Sequence, residues 1–316
     1  MKAIILKNFG GVESLSLTEV PVPTIGADEI LVLIKAISIN PVDLKIRQGA
    51  KMVGREKDPL PLILGWDICG IITEIGAEVM GFKTGDEVFA MVNYPKLGNA
   101  YAEFVAAKAS QLAIKPANIN FDEGAAATLS ALTAWQALTV HGKVKKNDRV
   151  LIHAASGGVG HFAVQMAKHL GAYVIGTSSA ANKNFILSLG ADEHVDYKNQ
   201  VVEEVVSDID YILDPLGGMN TEKSIELVNR GGTVISIVFG VTETLLKKAR
   251  EKEVTAKNPQ VKPSGANMKE IAILLENGSI KPYVGATFPF SEMANAHLLL
   301  QSGRAIGKIT LNLLKV

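Results

Sequence analysis

The chain has a single cysteine, Cys69. No intrachain disulfide can form from it, and a four-cysteine zinc site is excluded. Neither sign of charge is in excess, because 32 Lys and Arg balance 32 Asp and Glu. Nothing in that balance draws the chain to nucleic acid or to an anionic membrane surface. No run of about 18 uncharged apolar residues occurs, so no membrane-spanning helix is expected. The opening apolar run from Ala3 to Leu6 meets Lys7 and Asn8 at once. That is too short for the core of a secretory signal. Repeats and low-complexity tracts are absent. What remains is a chain of 316 residues, 47% hydrophobic and 20% charged. The composition is ordinary for a globular protein, a soluble cytoplasmic one is expected, and the length usually divides into two domains.

The character of the chain changes twice. Up to about residue 120 it reads as short β segments cut by Gly and Pro, such as Ile30 to Ile39 and Glu87 to Met91. Gly10-Gly11, Thr84-Gly85-Asp86 and Lys115-Pro116 supply turns. This is the pattern of an irregular, mostly antiparallel β domain. From Asp122-Glu123 onward, short β-branched strands alternate with helical stretches. Helices between short apolar strands predict a doubly wound parallel sheet with right-handed crossovers. After about 262 the rhythm breaks again, and the last helices and strand read as a return to the first domain. The expected boundaries are 1–122 with 263–316 for the β domain and 123–262 for the α/β domain.

The strongest local signal is Val150-Leu151-Ile152-His153-Ala154-Ala155-Ser156-Gly157-Gly158-Val159-Gly160. A buried strand enters a glycine-rich turn and leaves it as a helix. Glycines let backbone approach a pyrophosphate, and the helix start offers free N–H groups and partial positive charge. Ser156, Gly157, Gly158, Val159 and Gly160 are therefore the expected phosphate cradle, with Ala155 in place of the first fingerprint glycine. The plain alternative is a tight strand-to-helix turn without a ligand. NAD-binding proteins commonly carry an acidic residue about 20 positions further on, for the ribose hydroxyls. No Asp or Glu occurs from Arg149 to Ala191. Ser178, Ser179 and Lys183 stand there instead. They suit a 2′-phosphate and favour NADPH over NADH, unless Lys183 is only a solvated helix residue.

The chain resembles the zinc-independent quinone oxidoreductase branch of the medium-chain dehydrogenase/reductase superfamily. The likeness runs nearly end to end. It rests on Ser38-Ile39-Asn40-Pro41-Val42-Asp43-Leu44-Lys45-Ile46-Arg47-Gln48-Gly49, on Leu64-Gly65-Trp66-Asp67-Ile68-Cys69-Gly70, and on Gly81 to Val88. It continues through the glycine loop, Leu189-Gly190-Ala191-Asp192, Lys262 to Gly265 and Gly303 to Ile309. The resemblance implies a GroES-like β domain, a Rossmann domain with the active site in the cleft between them, and a homodimer. It also implies that no metal is held: zinc members use Cys, His and Cys where this chain has Asn40, Trp66 and, by approximate alignment, Leu129.

The activity so implied is hydride transfer from NADPH to a quinone or an α,β-unsaturated carbonyl, small molecules with no nucleic acid or membrane as partner. Asn40 and Lys45 are the candidate donors to the oxygen on which charge develops. Asn40-Pro41 equally reads as a turn initiator, and Lys45 as a surface charge. Asp43, two residues before Lys45, is expected to cap the turn. Thr133 matches a family position beside the nicotinamide, and Tyr197 one near the adenosine phosphate; helix interior and a strand end are the plain alternatives. Trp66 and Tyr94 are candidate walls of an aromatic pocket, or core. Cys69 reads as a small buried hydrophobe, and His161 as a solvated first-turn residue. The Lys247 to Glu253 run mixes both signs and reads as a solvated face. Two other functions fit the same scaffold: an enoyl-thioester reductase, and a non-catalytic NADPH-binding redox sensor.

Overall fold

The computed structural model describes residues 1–50, 60–238 and 241–313. The chain divides into two compact units. The first comprises Met1–Leu132, Lys262–Gly278 and Pro282–Val316; the second comprises Thr133–Val261 and Ser279–Lys281.

The first unit is built on a largely antiparallel sheet. Its central strand, Glu29–Ser38, pairs with Asp67–Ile75, Phe104–Lys108 and Lys308–Asn312. Glu87–Met91 pairs with the other side of Asp67–Ile75, and Val284–Pro289 runs parallel to Lys308–Asn312 at the far edge. A smaller antiparallel sheet joins Leu15–Glu19, Lys2–Leu6 and Leu62–Ile63. The apolar run Ile30 to Ile37 is central because three strands cover its polar edges; Ile30, Val32, Ala36 and Ile37 are completely buried. Immediately after this strand the chain turns into the helix Pro41–Arg47, with proline at the helix start, where no N–H is needed.

The second unit holds a six-stranded, all-parallel sheet in the order Glu193–Asp196, Tyr173–Ser178, Arg149–Ile152, Ile209–Asp214, Val228–Ser236, Thr255–Lys257. Numbered along the chain this is 3-2-1-4-5-6, the doubly wound dinucleotide-binding order. Leu151, Ile175, Ile212 and Val234 have no exposed surface, as strands covered on both faces require. The chain reverses direction across the sheet beside Arg149–Ile152, so the glycine turn that follows it lies at the topological switch point. The polar, Pro-containing segment after Glu253 still provides an edge strand, Thr255–Lys257, paired to Val228–Ser236. The charged run before it lies on the helix Glu243–Glu251, where Lys248 pairs with Glu222 and Glu226, and Arg250 with Glu243.

Candidate functional site

The glycine turn is assembled from strand, loop and helix in immediate succession. Strand Arg149–Ile152 leads into Ala154, which takes the left-handed φ of +47°, and the helix Gly160–His169 begins six residues later. Ala155 is fully buried. Its methyl group fits because the facing residue of the next strand is Gly176, where an added Cβ would lie 3.0 Å from Ala155 Cβ. Gly160 permits the close approach of helix to turn: a Cβ there would sit 2.3 Å from the Ala154 carbonyl oxygen. Gly160 is itself buried, so its part is packing rather than contact.

Ser156 to Val159 are half-buried, and the amides of Ser156, Gly158 and Val159 have no acceptor among the described residues. Gly157 N donates back to Ala154 O at 2.9 Å. These unspent donors at the start of a ten-residue helix fit a dinucleotide diphosphate. Two side chains hold the turn. Asn182 Nδ2 donates to Ser156 Oγ at 3.1 Å, and His161 Nδ1 donates to Gly157 O at 2.9 Å. His161 is fully buried against Phe162, which corrects the expectation of a solvated residue. The helix needs that side for core, and the Gly157 carbonyl supplies the imidazole with an acceptor.

The end of the second strand carries the other half of the nucleotide subsite. Ser179 is half-buried, Lys183 is exposed at the start of the helix Lys183–Ser188, and Tyr197 is 56% exposed. Ser178 is placed differently from expectation. It is 2% exposed, its hydroxyl donates to Ser179 O at 2.9 Å and accepts from His194 Nε2 at 2.9 Å. As a direct phosphate ligand Ser178 is therefore corrected: the strand is covered on both faces here, and the hydroxyl is taken up by Ser179 and His194. His194 occupies the ground beside it and was missed, since nothing in the local sequence signals that strands Tyr173–Ser178 and Glu193–Asp196 lie side by side. Thr133 is buried within the helix Leu129–Trp135.

In the first unit, Asp67 organises a dry polar cluster. Asp67 opens its strand directly opposite Ser38. Its Oδ2 accepts from Ser38 Oγ at 2.5 Å and Asn40 Nδ2 at 2.8 Å, and lies 3.4 Å from Lys308 Nζ. Its Oδ1 accepts from Leu129 N at 2.9 Å. Lys308 Nζ also donates to Asn40 Oδ1 at 2.5 Å and to Ile39 O at 3.0 Å. Burial pulls the Lys308 ammonium below the ordinary lysine range, against the opposing pull of Asp67. Asp43, fully buried, accepts from Asn40 N at 2.7 Å and Gly65 N at 3.1 Å, the helix-capping role its position predicts. Burial raises its carboxyl to about 7.

Comparison with known proteins agrees over the whole length. Residues 26–142 match the family model for the alcohol dehydrogenase GroES-like domain, and residues 189–311 that for zinc-binding dehydrogenase. The chloroplastic NADPH-dependent alkenal/one oxidoreductase of Arabidopsis thaliana is 32% identical over 319 residues, spanning 98% of this chain and 78% of that protein. The quinone oxidoreductase of Coxiella burnetii superposes with a TM-score of 0.93 at 31% identity, over 99% of both chains. The Escherichia coli quinone oxidoreductase, solved in complex with NADPH, gives 0.87 at 29% identity, over 99% of this chain and 100% of that one. The chain belongs to the quinone oxidoreductase-like branch of the medium-chain dehydrogenase/reductase superfamily.

In this quinone oxidoreductase-like chain, the three residues that the resemblance sets at the superfamily's zinc positions have structural partners. Asn40 spends its amide oxygen on Lys308 and one amide hydrogen on Asp67, and is 1% exposed. That corrects its expected role as a direct donor to a substrate oxygen. Trp66 has no exposed surface; its Nε1 donates to Lys96 O at 2.8 Å. It is core, which corrects the pocket-wall expectation, and the half-buried Tyr94 meets it edge-to-face at 5.8 Å. Leu129 contributes its backbone N–H to Asp67. Among the described residues no group of three His, Cys, Asp or Glu is placed to hold a metal ion. Lys45 lies on the opposite face of its helix from Asp43 and is exposed. Cys69 is fully buried, and burial raises its thiol far above the ordinary range. No helix among the described residues is long and apolar enough to cross a membrane.

Proposed function

We propose that this chain is an NADPH-dependent, zinc-independent reductase that passes hydride to a quinone or an α,β-unsaturated carbonyl, and that it works as a cytoplasmic homodimer. The observation that carries the reading is the glycine turn with its unspent amides, followed by a second strand that ends in Ser178 and Ser179 with no acidic residue of its own. The relatives' activities, alkenal/one and quinone reduction with NADPH, support the choice of acceptor.

NADPH supplies the hydride when bound. The chain's own residues do the rest. The amides of Ser156, Gly158 and Val159 hold the diphosphate, while Ser179, Lys183 and Tyr197 hold the adenosine end. Charge develops on the acceptor's carbonyl oxygen as the hydride reaches carbon. Lys45 donates to that oxygen and delivers the proton that completes the enol or hydroquinone. A polarised acceptor needs no Lewis acid for this step, in keeping with the non-ligand residues at 40, 66 and 129. The Asp67–Lys308 cluster fixes Asn40, which caps the helix that carries Lys45.

The test is NADPH oxidation with a panel of quinones and enones. Turnover is expected, and Lys45→Met should lower kcat by roughly 10²–10³, the usual loss for one oxyanion donor, with NADPH affinity kept. An unchanged kcat would return Lys45 to the solvated surface. Tight NADPH binding with no turnover on any acceptor would favour a sensor.

A further inference from the structure

The adenosine end of the nucleotide subsite holds a group that the sequence pattern leaves out. His194 lies on the strand Glu193–Asp196, beside the strand Tyr173–Ser178, with Gly176 opposite His194 and Ser178 opposite Asp196. Its Nε2 donates to Ser178 Oγ at 2.9 Å, and that hydroxyl in turn donates to the Ser179 carbonyl. The imidazole is half-buried, and besides Ser178 its ring meets the Ser179 backbone carbonyl. Two charged groups act on it: Lys183 from the neighbouring helix and Asp196 from its own strand. The Ser179 backbone carbonyl, just past the end of the neighbouring strand, hydrogen-bonds the ring and favours its charged form. Burial, and then the Lys183 charge, hold the imidazole below the ordinary histidine range against the opposing pull of Asp196, so it is neutral at pH 7 in the free protein.

We infer that His194 belongs to the adenosine 2′-phosphate subsite and enters it as the imidazolium, so that NADPH binds with uptake of one proton. The inference rests on NADPH being the cofactor. The chemistry is that of a charge-assisted hydrogen bond. A dianionic phosphate beside Lys183 reverses the local field, favours the charged ring, and gives the second ring nitrogen a proton to donate. Ser178 then serves as the positioning residue, holding Nε2 while Nδ1 turns to the phosphate. NADH has no 2′-phosphate and recruits no proton. Preference for NADPH over NADH is therefore greatest on the acid side of neutrality and fades as pH rises.

The test uses the full chain with 2′,5′-ADP and 5′-ADP as probes, titrated by calorimetry between pH 6.5 and 8.5 in two phosphate-free buffers of different ionisation heat. His194→Gln keeps a donor toward Ser178 and cannot titrate. The unaltered protein should take up protons with 2′,5′-ADP near pH 7.5, where the ligand's own phosphate is already mostly dianionic. His194→Gln should take up none. It should bind 2′,5′-ADP about tenfold more weakly at pH 6.5, matching the unaltered protein by pH 8.5, with 5′-ADP binding unchanged at both. Equal proton uptake by the two proteins, or an affinity ratio that ignores pH, overturns the assignment of His194. If the variant loses both probes through misfolding, the unaltered protein decides: no uptake near pH 7.5 overturns it. A different failure marks the cofactor reading: unaltered protein that binds the two probes equally has no 2′-phosphate subsite at all.

Discussion

The glycine turn of the second unit and the Asp67 cluster of the first treat polar groups in opposite ways. The turn leaves donors unspent and half-exposed, held in place by neighbours such as Asn182 and His161. The cluster spends what it has. Asp67 takes three hydrogen bonds and a nearby ammonium, Lys308 makes donations to three residues, and all lie out of water. Free donors held ready are what a ligand needs; saturated ones are what a scaffold needs. The difference teaches where function and stability separate in this fold. Breaking the cluster should cost folding energy, and blocking the turn should cost ligand affinity.

The largest effect is expected at Lys308. Lys308→Met removes a buried cation that faces Asp67 and the Asn40 carbonyl oxygen. Asp67 is left as an uncompensated buried charge, and Ile39 O loses its donor. Such a break costs about 3–5 kcal/mol, readable as a shift in the denaturant midpoint at constant m. The exposed Lys183 is the contrast: Lys183→Glu should change stability by no more than about 0.5 kcal/mol while weakening NADPH much more than NADH. Equal effects of Lys183→Glu on the two cofactors would remove the phosphate assignment. A Lys308→Met protein of unchanged stability would show that the cluster is not a scaffold.

Gly160 sharpens the comparison, because it belongs to the turn but acts by packing. Gly160→Ala places a Cβ against the Ala154 carbonyl at 2.3 Å and the Ala155 Cα at 2.7 Å, both backbone atoms that cannot swing aside. The expected loss is about 1–3 kcal/mol, together with dinucleotide affinity, as the helix start is pushed off the strand. At Gly157 the nearest atom is 3.2 Å away, so Gly157→Ala should be milder in stability. Dinucleotide fluorescence and denaturant midpoints measured on both variants check the order.

The turn was legible in the sequence because its parts are contiguous. Eleven successive residues, Val150 to Gly160, carry strand, glycines and helix, and the missing carboxylate beyond them is a local fact. Parallel pairing followed from the alternation of strands and helices. The cluster was not legible, because Lys308 meets Asn40 and Asp67 only after the C-terminal strand returns to the first unit. The resemblance implies an active-site amide at Asn40, because it stands at a zinc-ligand position; burial and two distant partners give it structural work. Ser178, His194 and Trp66 failed for a related reason. Which face of a strand is buried, and what lies on the next strand, are tertiary facts that residue type does not encode.

The most specific effect concerns another buried polar group of the first unit. His297 Nε2 meets Tyr101 Oη at 3.0 Å, while its Nδ1 is buried with no partner among the described residues. Burial, and then the charge of Arg47, lower this imidazole to about 3. Folded protein therefore holds His297 neutral where unfolded chain would protonate it. Its contribution is fully present above the ordinary histidine range and is lost as pH falls from about 6.5 toward 3. Asp43 runs the other way. Its carboxyl, raised by burial to about 7, binds a proton in the folded state that the unfolded chain releases near 4. Its contribution is present at acid pH and is lost as pH rises from about 4 to 7. Over pH 4 to 6.5 the two slopes oppose each other. His297→Gln keeps a partner for Tyr101 and removes one slope. Relative to the unaltered protein, the variant should gain stability as pH falls below 6.5, by up to about 1.4 kcal/mol per pH unit, and show no relative gain at pH 7 and above. Denaturant midpoints of the two proteins at pH 4.5, 5.5, 6.5 and 7.5 measure that difference directly. A stability difference independent of pH would mean that His297 titrates as an ordinary histidine and that water reaches Nδ1.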